Sequence, residues 1–153
     1  MNFENTTKLL TTYPRLYREL RDFGFECGDG WVNLIWQLSA NIELAARVEG
    51  LAENTDAWPR IGVVMQKLGD LRVQFSAPVS DGIRDLANKA RECSTEVCEL
   101  CTAPCKKPPE TERVSWVESI CDSCHTHHHP PLRPQDKTPK PPARKLERNN
   151  RKK

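Results

Sequence analysis

The spacing of apolar residues predicts three amphipathic helices in the first two thirds of the chain. Over residues 31–49, apolar side chains recur every three or four positions, which places them on one face of a helix. Residues 14–23 show the same spacing after an initial proline, and residues 83–97 follow the capping sequence Ser80-Asp81-Gly82. A short helix can also start within residues 1–13. The predicted core-facing residues are Leu16, Leu20 and Phe23 in the first helix, Trp31, Leu34, Ile35, Leu38, Ile42, Ala45 and Ala46 in the second, and Ile83, Leu86, Ala87, Ala90 and Cys93 in the third.

Between the second and third helices the pattern changes from helical spacing to alternation. Residues 61–67 and 71–76 are rich in β-branched and aromatic residues, and Leu68-Gly69-Asp70 lies between them. In the second run apolar and polar side chains alternate, so one face would be buried and the other would contact water. Two such runs around a Gly-Asp bend are typical of a β-hairpin, here over about 61–76. Together with the helices, the hairpin predicts an α+β fold with a small helical body.

The end of this body carries two Cys-x-x-Cys pairs, Cys98 with Cys101 and Cys121 with Cys124. This spacing lets both sulfurs of a pair reach one tetrahedral metal ion about 2.3 Å away, and the second pair completes four ligands. We therefore predict a zinc-knuckle or ribbon-like segment over 98–124, with one closed structural Zn²⁺ per chain and loss of the folded state on chelation. His125, which follows Cys124, is an alternative fourth ligand.

Composition and cysteine usage favour a protein of the cytoplasm. The chain has 153 residues, 29% of them charged, and no apolar run near the roughly 18–20 residues that cross a bilayer. Its first residues, MNFENTTKLL, lack the basic start and apolar stretch of a secretory signal. Seven cysteines cannot all pair within one chain, and clustered cysteines in a reducing compartment are more often metal ligands than disulfides. We expect no membrane association.

The chain lacks the residue patterns of the common enzyme classes. It has no G-x-S-x-G sequence, no phosphate-binding glycine loop after a strand and no Cys/His pair outside the zinc segment. A zinc deaminase would need an upstream ligand followed by x-Glu. The histidines, however, all lie in the tract His125, His127, His128 and His129, which is either a weak second metal site or a solvated segment. Cys27 has acidic neighbours and no base, so we expect a buried structural thiol. We expect neither catalysis nor a small-molecule substrate.

Charge is divided unevenly along the chain. From Arg133 to Lys153 there are nine Lys/Arg and two acidic residues, a net charge of +7, whereas the remainder has 14 basic and 19 acidic residues, a net charge of −5. Six prolines lie between 130 and 142. We predict a zinc-stapled domain over 1–129 and a disordered basic Pro-rich tail over 130–153, which either contacts phosphates or acts as a solubilising extension. The candidate nucleic-acid-binding residues are Arg144, Lys145, Arg148, Arg151, Lys152 and Lys153.

Three short sequence blocks occur in order along the chain. They are Cys27-Gly-Asp-Gly-Trp31 with Leu34-Ile35 and Leu38, then Gly69-x-Leu71-Arg72 with Phe75, then Ser94-x-x-x-Cys98-Glu99-x-Cys101 with Trp116 and Ile120-Cys121-x-x-Cys124. In this order they resemble a widespread family of small uncharacterised proteins of bacteriophages, prophages and bacteria. The resemblance covers residues 14–125 and excludes the basic tail.

The resemblance implies a compact α+β body that ends in paired zinc knuckles, and it implies no particular activity. Where family members often have Gly, this chain has Thr102 and Cys105, so Cys105 becomes a further alternative fourth ligand. It also has Lys67-Leu68 in place of a Lys-Phe pair. Our hypothesis is a non-enzymatic zinc-binding accessory protein of phage or prophage type. It would bind a host or phage protein, such as a defence or nucleic-acid-processing enzyme, in the bacterial or infected-host cytoplasm. The alternative is a nucleic-acid-binding protein that uses the zinc segment and the tail.

Overall fold

The computed structural model describes residues 1–20, 22, 24–105 and 119–128. It confirms the α+β fold class. The elements are α1 (Phe3–Thr12), β1 (Phe25–Glu26), a 3₁₀ turn (Asp29–Trp31), α2 (Val32–Val48), β2 (Ile61–Lys67), β3 (Asp70–Phe75), α3 (Asp81–Ser94) and α4 (Asp122–His128). None of the helices in this described part is long and apolar enough to cross a membrane.

The sheet has three strands in the order β1-β2-β3 and confirms the predicted hairpin. β2 and β3 are antiparallel, with Val64 opposite Val73 and Lys67 opposite Asp70, and β1 runs parallel to β2. Leu68 and Gly69 form the two-residue turn, both with positive φ, at 55° and 78°. Two consecutive positive φ values are typical of the turn type that matches the twist of hairpin strands. The turn lies at one end of the sheet. It is beside the segment that carries the cysteines, because the Ser119 hydroxyl donates a hydrogen bond to the Gly69 carbonyl.

α2 is the central helix and begins and ends within one residue of the predicted range. Its core-facing side buries Ile35, Leu38, Ile42 and Ala46, as the spacing of three and four predicts. α3 packs against α2 and β3. The Ser80 hydroxyl accepts a hydrogen bond from the Ile83 amide at 3.2 Å, so α3 starts two residues before the predicted position.

Two predictions about the helices are wrong. Residues 14–19 form turns rather than a helix, whereas α1 confirms the short helix expected within residues 1–13. The Leu16 carbonyl accepts a hydrogen bond from the Ile61 amide at 2.8 Å, which ties this segment to the start of β2 and replaces a helical partner. Leu16 is nevertheless buried as predicted, whereas Phe23 lies outside the described residues. Cys93 was expected to pack but is exposed, because α3 buries Ile83, Ala90 and Ser94 on a different side.

The hydrophobic core is built almost entirely before the first cysteine pair. It unites residues from α1, the turns that follow it, all three strands, α2 and α3, together with Trp58 from the loop before β2. The side chain of Val97 packs at the edge of this core. The segment that follows Val97 is held to the body mainly by hydrogen bonds, which determine the geometry of the candidate site.

Candidate metal centre

The first cysteine pair lies in a tight loop that follows α3. Val97 and Pro104 pair in an antiparallel bridge, and the Cys98 amide donates to the Ala103 carbonyl at 2.7 Å. The Thr102 amide donates to the Cys98 carbonyl at 3.0 Å and closes the turn around Cys101. This local pairing explains why two residues between cysteines suffice to bring Cys98 and Cys101 to the same end of the loop.

The second pair is carried by a helix that the sequence pattern did not predict. Cys121 immediately precedes α4 and Cys124 lies in its first turn, where the His125 amide donates to the Cys121 carbonyl at 2.9 Å. Most of the segment between the two pairs, residues 106–118, lies outside the described residues, and residues 119–120 are not in a strand. The Glu99 amide donates to the Ser119 carbonyl at 2.8 Å, so backbone contact aligns the two pairs directly.

The structure brings the four predicted cysteines together. The sulfurs of Cys98, Cys101, Cys121 and Cys124 all lie within 4.8 Å of one another. The Sγ atoms of Cys101 and Cys121 are 3.5 Å apart. Four thiolates around a tetrahedral zinc at about 2.3 Å would be separated by about 3.8 Å. The donor set and its spacing therefore fit a metal ion of this kind.

The thiols in this cluster have opposite pKa shifts. Burial raises the pKa of Cys98, but the amides of Cys121, Cys101 and Leu100 hydrogen-bond its sulfur and lower the pKa to about 6. A hydrogen bond with Cys101, followed by burial and the other thiols, raises the pKa of Cys124 to about 12. Crowded thiols cannot all ionise together without a cation, because each thiolate disfavours the next. A bound divalent cation would remove that penalty, since it binds thiolates.

The alternative ligands Cys105 and His125 do not join this group. Among the described residues, the mutually close set contains only the four cysteines of the two pairs. The Cys105 amide donates to the Glu96 carbonyl at 2.8 Å, and burial followed by the neighbouring thiols raises its pKa to about 12. The side chains of His125 and His127 are exposed on α4, and His129 lies outside the described residues. The geometry thus favours Cys124 as the fourth ligand.

Two glycines, Gly28 and Gly30, let the loop that carries Cys98 and Cys101 lie close to the start of α2. The Gly30 amide donates to the Glu99 carbonyl at 2.7 Å, and a Cβ on Gly30 would lie 2.2 Å from the Cys98 carbonyl oxygen. A Cβ on Gly28 would lie 2.1 Å from the Glu99 carbonyl oxygen. No side chain larger than hydrogen fits at either position without moving the backbone that holds Cys98. The indole Nε1 of Trp31 completes this contact by donating to the Val97 carbonyl at 2.9 Å.

Two serines bond to the hairpin: Ser94, at the end of α3, bonds to β3, and Ser119 joins the cysteine segment to the turn. The buried Ser94 hydroxyl accepts from the Leu71 amide at 2.9 Å and donates to the Arg91 carbonyl at 2.6 Å. The Ser119 hydroxyl donates to the Gly69 carbonyl at 2.6 Å. Described residues of the three sequence blocks therefore contact one another in the part of the fold that leads to the four cysteines. Sequence reasoning missed these supporting residues, although the closely spaced glycines 28 and 30 were a signal of close backbone approach.

Cys27 is a buried thiol, as expected. It is 7% exposed, and burial raises its pKa to about 12. The amino group of Met1 opposes this shift in pKa, whereas Glu99 and Asp29 add to it. The same amino group donates hydrogen bonds to the carbonyls of Phe25 and Cys27. A protonated, enclosed thiol of this kind is poorly suited to nucleophilic chemistry and acts as core.

The candidate nucleic-acid-binding residues Arg144, Lys145, Arg148, Arg151, Lys152 and Lys153 all lie outside the described residues. The tail from 130 onward therefore stays a prediction of the sequence.

Comparison of this chain with protein-family models, with curated proteins and with solved structures gave no match. The cysteine cluster is consequently the feature on which a function can be argued.

Proposed function

We propose that this chain is a zinc-binding accessory protein in which the metal is structural and which acts by binding another protein. The observation that carries the proposal is the set of four cysteine sulfurs within 4.8 Å of one another. Thiolate ligands in a tetrahedral arrangement favour Zn²⁺ over the hard cations Mg²⁺ and Ca²⁺, which take oxygen ligands. Zinc would be held by Cys98, Cys101, Cys121 and Cys124, and it would supply a cross-link between two chain segments.

Two features favour a structural role for the zinc: the number of protein ligands and the hydrogen bonds that hold Cys98 in place. Four protein ligands fill a tetrahedral shell, so no position remains for the water or substrate that a catalytic zinc binds. Hydrogen bonds from three amides to Cys98 resemble the outer-shell contacts that fix metal ligands in place. Zinc would therefore fasten the loop after α3 to the start of α4.

The partner is proposed from the resemblance rather than from the site. The family that the three blocks resemble occurs in phages, prophages and bacteria, so we place the partner among host or phage proteins, including enzymes of defence or nucleic-acid processing. The body outside the tail carries a net charge of −5. An acidic surface of this kind would suit a partner whose binding site is basic.

Metal analysis with a ligand series tests the zinc site. Purified full-length chain should hold one zinc per molecule, and Cys121→Ser should lose it because three thiolates bind zinc far more weakly than four. Cys105→Ser is the matched control and should retain one zinc, as should His125→Ala. Cys124→Ser should likewise lose zinc, and its retention of zinc together with loss by Cys105→Ser would assign the fourth position to Cys105 instead.

A retention experiment tests the partner. Full-length chain immobilised as bait should retain a defined protein from a bacterial lysate in repeated trials, and the Cys121→Ser bait should not. Failure of the metal-loaded bait to retain any protein reproducibly would count against binding as its activity, whatever the result of the metal analysis.

The charge of the tail supports a second candidate function, binding to nucleic acid. A segment of net charge +7 can neutralise phosphates without reading sequence, and such binding weakens steeply as salt rises. Full-length chain is compared with a variant in which the six tail cations named above are changed to Gln, at low and moderate salt. Equal and negligible binding of single-stranded and duplex DNA by both proteins would end this proposal.

A further inference from the structure

The four sulfurs of the candidate metal centre are not equally accessible. Cys101 is exposed, Cys121 and Cys124 are half-buried, and Cys98 is fully buried. Three backbone amides also hydrogen-bond the Cys98 sulfur and enclose it further. A small solute that reaches the cluster from solvent therefore meets Cys101 first.

Cys101 is also the cysteine that would be both ionised and open to solvent once a metal is bound. Zinc binds cysteine as the thiolate, which is the form that hydroperoxides oxidise, and exposure makes a thiolate a better target. Cys93 is exposed as well, but it lies in α3 and outside the cluster. Cys105 is half-buried and is not one of the four mutually close cysteines. The metal would hold neither of these two as a thiolate.

A second thiolate lies within reach of Cys101. The Sγ atoms of Cys101 and Cys121 are 3.5 Å apart, and the cysteines are 20 positions apart in sequence. A disulfide bond is about 2.05 Å long, so the two sulfurs would have to approach each other by roughly 1.5 Å. Their disulfide would join the loop after α3 to the start of α4, which are the two segments that zinc would join.

We propose that the metal centre is an oxidant-sensitive switch, in which a hydroperoxide converts Cys101 and Cys121 to a disulfide and zinc is released. This inference rests on the zinc site proposed above. The Cys101 thiolate first attacks the peroxide, so that an S–O bond forms, the O–O bond breaks and hydroxide leaves. The Cys121 thiolate then attacks the sulfur of the resulting sulfenic acid, the S–S bond forms and a second hydroxide leaves. Two thiolates thereby lose two electrons, and one hydrogen peroxide is reduced to two hydroxide ions.

Release of zinc in this way would alter one end of the molecule and leave the rest folded. Cys98 and Cys124 would remain as thiolate ligands, and two ligands are too few for a closed tetrahedral site. The hydrophobic core lies before the cluster, with Val97 packed at its edge. Oxidation would therefore rearrange the cysteine segment while the body keeps its core.

Peroxide treatment of the full-length, metal-loaded chain tests this proposal. Hydrogen peroxide should release one zinc for each disulfide formed, as measured with a chromophoric chelator, and peptide mass spectrometry should find Cys101 joined to Cys121. A thiol reductant with added zinc should restore the metal-loaded form. Cys93→Ser and Cys105→Ser are the matched controls, because each removes one thiol outside the ligand set. Both should release zinc at the rate of the unaltered chain.

Cys101→His replaces the exposed thiolate with another common zinc ligand. Its zinc-loaded form should release zinc roughly tenfold more slowly than the unaltered chain, because the accessible thiolate is gone. Cys124→His makes the same change at a half-buried ligand. It should be slowed less, since it keeps both Cys101 and Cys121. The disulfide mapped in the unaltered chain decides the proposal even where a histidine variant fails to hold zinc.

Three outcomes would overturn the switch: retention of zinc at peroxide concentrations that oxidise Cys93, a disulfide mapped to a different pair, or slower release from Cys105→Ser. The zinc content before treatment separates this proposal from the one on which it rests. A chain that holds no zinc as purified would overturn both, whereas a zinc-loaded chain that resists peroxide would contradict only the switch.

Discussion

At the residue scale, the hairpin turn places a leucine in a backbone conformation that side chains disfavour. Leu68 has φ 55°, in the left-handed region, where a Cβ crowds the neighbouring carbonyl oxygen. The cost is about 1 kcal/mol for leucine and less for asparagine, which tolerates this region. The Leu68 side chain is 59% exposed, so little packing would be lost on replacement.

We expect Leu68→Asn to raise the free energy of unfolding by about 1 kcal/mol, because Asn-Gly is the preferred pair for this turn. Urea unfolding of the metal-loaded protein measures the change. Leu68→Ala is the control, since alanine keeps the Cβ and therefore the strain, and its stability should stay close to that of the unaltered chain. An equal rise in the free energy of unfolding in both variants would show that removal of the exposed leucine side chain, and not relief of backbone strain, is the cause.

Thr102 shows how far residue identity alone can predict a site. The resemblance expects glycine at this position, and the structure gives Thr102 a φ of 68°, which favours glycine. The threonine hydroxyl compensates in part by donating to the Gly30 carbonyl at 3.1 Å. The grouping of Cys98, Cys101, Cys121 and Cys124 followed from spacing alone. This bond could not be foreseen, because it joins residues 72 positions apart whose proximity depends on the fold.

At the element scale, the start of α2 and the loop after α3 act as one unit. Backbone contact between Gly30 and Glu99 replaces the side-chain packing that usually joins two elements. This contact could not accommodate a side chain at Gly30. An added Cβ would meet backbone atoms of the cysteine loop, which cannot move aside as the end of a flexible side chain can. The position of Cys98 therefore depends on the absence of a side chain at Gly30.

We expect Gly30→Ala to lower the free energy of unfolding by about 1–3 kcal/mol and to weaken zinc binding, because the new Cβ would displace the Cys98 backbone. Urea unfolding and competition with a chelator measure the two effects. Gly82→Ala is the matched control: it lies in the first turn of α3, and an added Cβ would come no closer than 3.6 Å to any neighbour. Its stability should be unchanged or slightly raised. Undisturbed zinc binding in Gly30→Ala would show that the loop adapts without moving Cys98.

The predictability of the elements follows from where their stabilising contacts lie. α2 and the hairpin were predictable because their periodicity and turn residues are local. Residues 14–19 were not, since the Leu16 carbonyl bonds to Ile61 across 45 positions of sequence. α4 has the sequence DSCHTHH, with no apolar period to indicate a helix. α4 lies where Cys121 and Cys124 meet the first cysteine pair, a contact that a count of apolar residues does not detect.

At the scale of the whole molecule, the hydrophobic core and the cysteine cluster are separate sources of order. The core includes residues from Leu9 to Ala90, with Val97 packed at its edge, whereas the four sulfurs lie beyond it. The two parts are joined by the hydrogen bonds of Gly30, Trp31 and Ser119. Removal of the metal should therefore affect the two parts unequally, rather than abolish the folded state as the sequence alone suggested.

We expect chelation to expose the amides of Gly30, Cys98 and Glu99 to hydrogen exchange while those of β2 and β3 stay protected. The first set depends on the aligned cysteine segment, and the second on a core that a metal ion bound at the four cysteines would not contact. Hydrogen exchange of the full-length chain, with zinc and after chelation, measures both sets, and urea unfolding should still show one cooperative transition at lower urea. Uniform loss of protection would mean that zinc holds the entire fold. Unchanged protection at Cys98 and Glu99 would mean that backbone contacts alone align the two cysteine pairs, and the metal would then need another role.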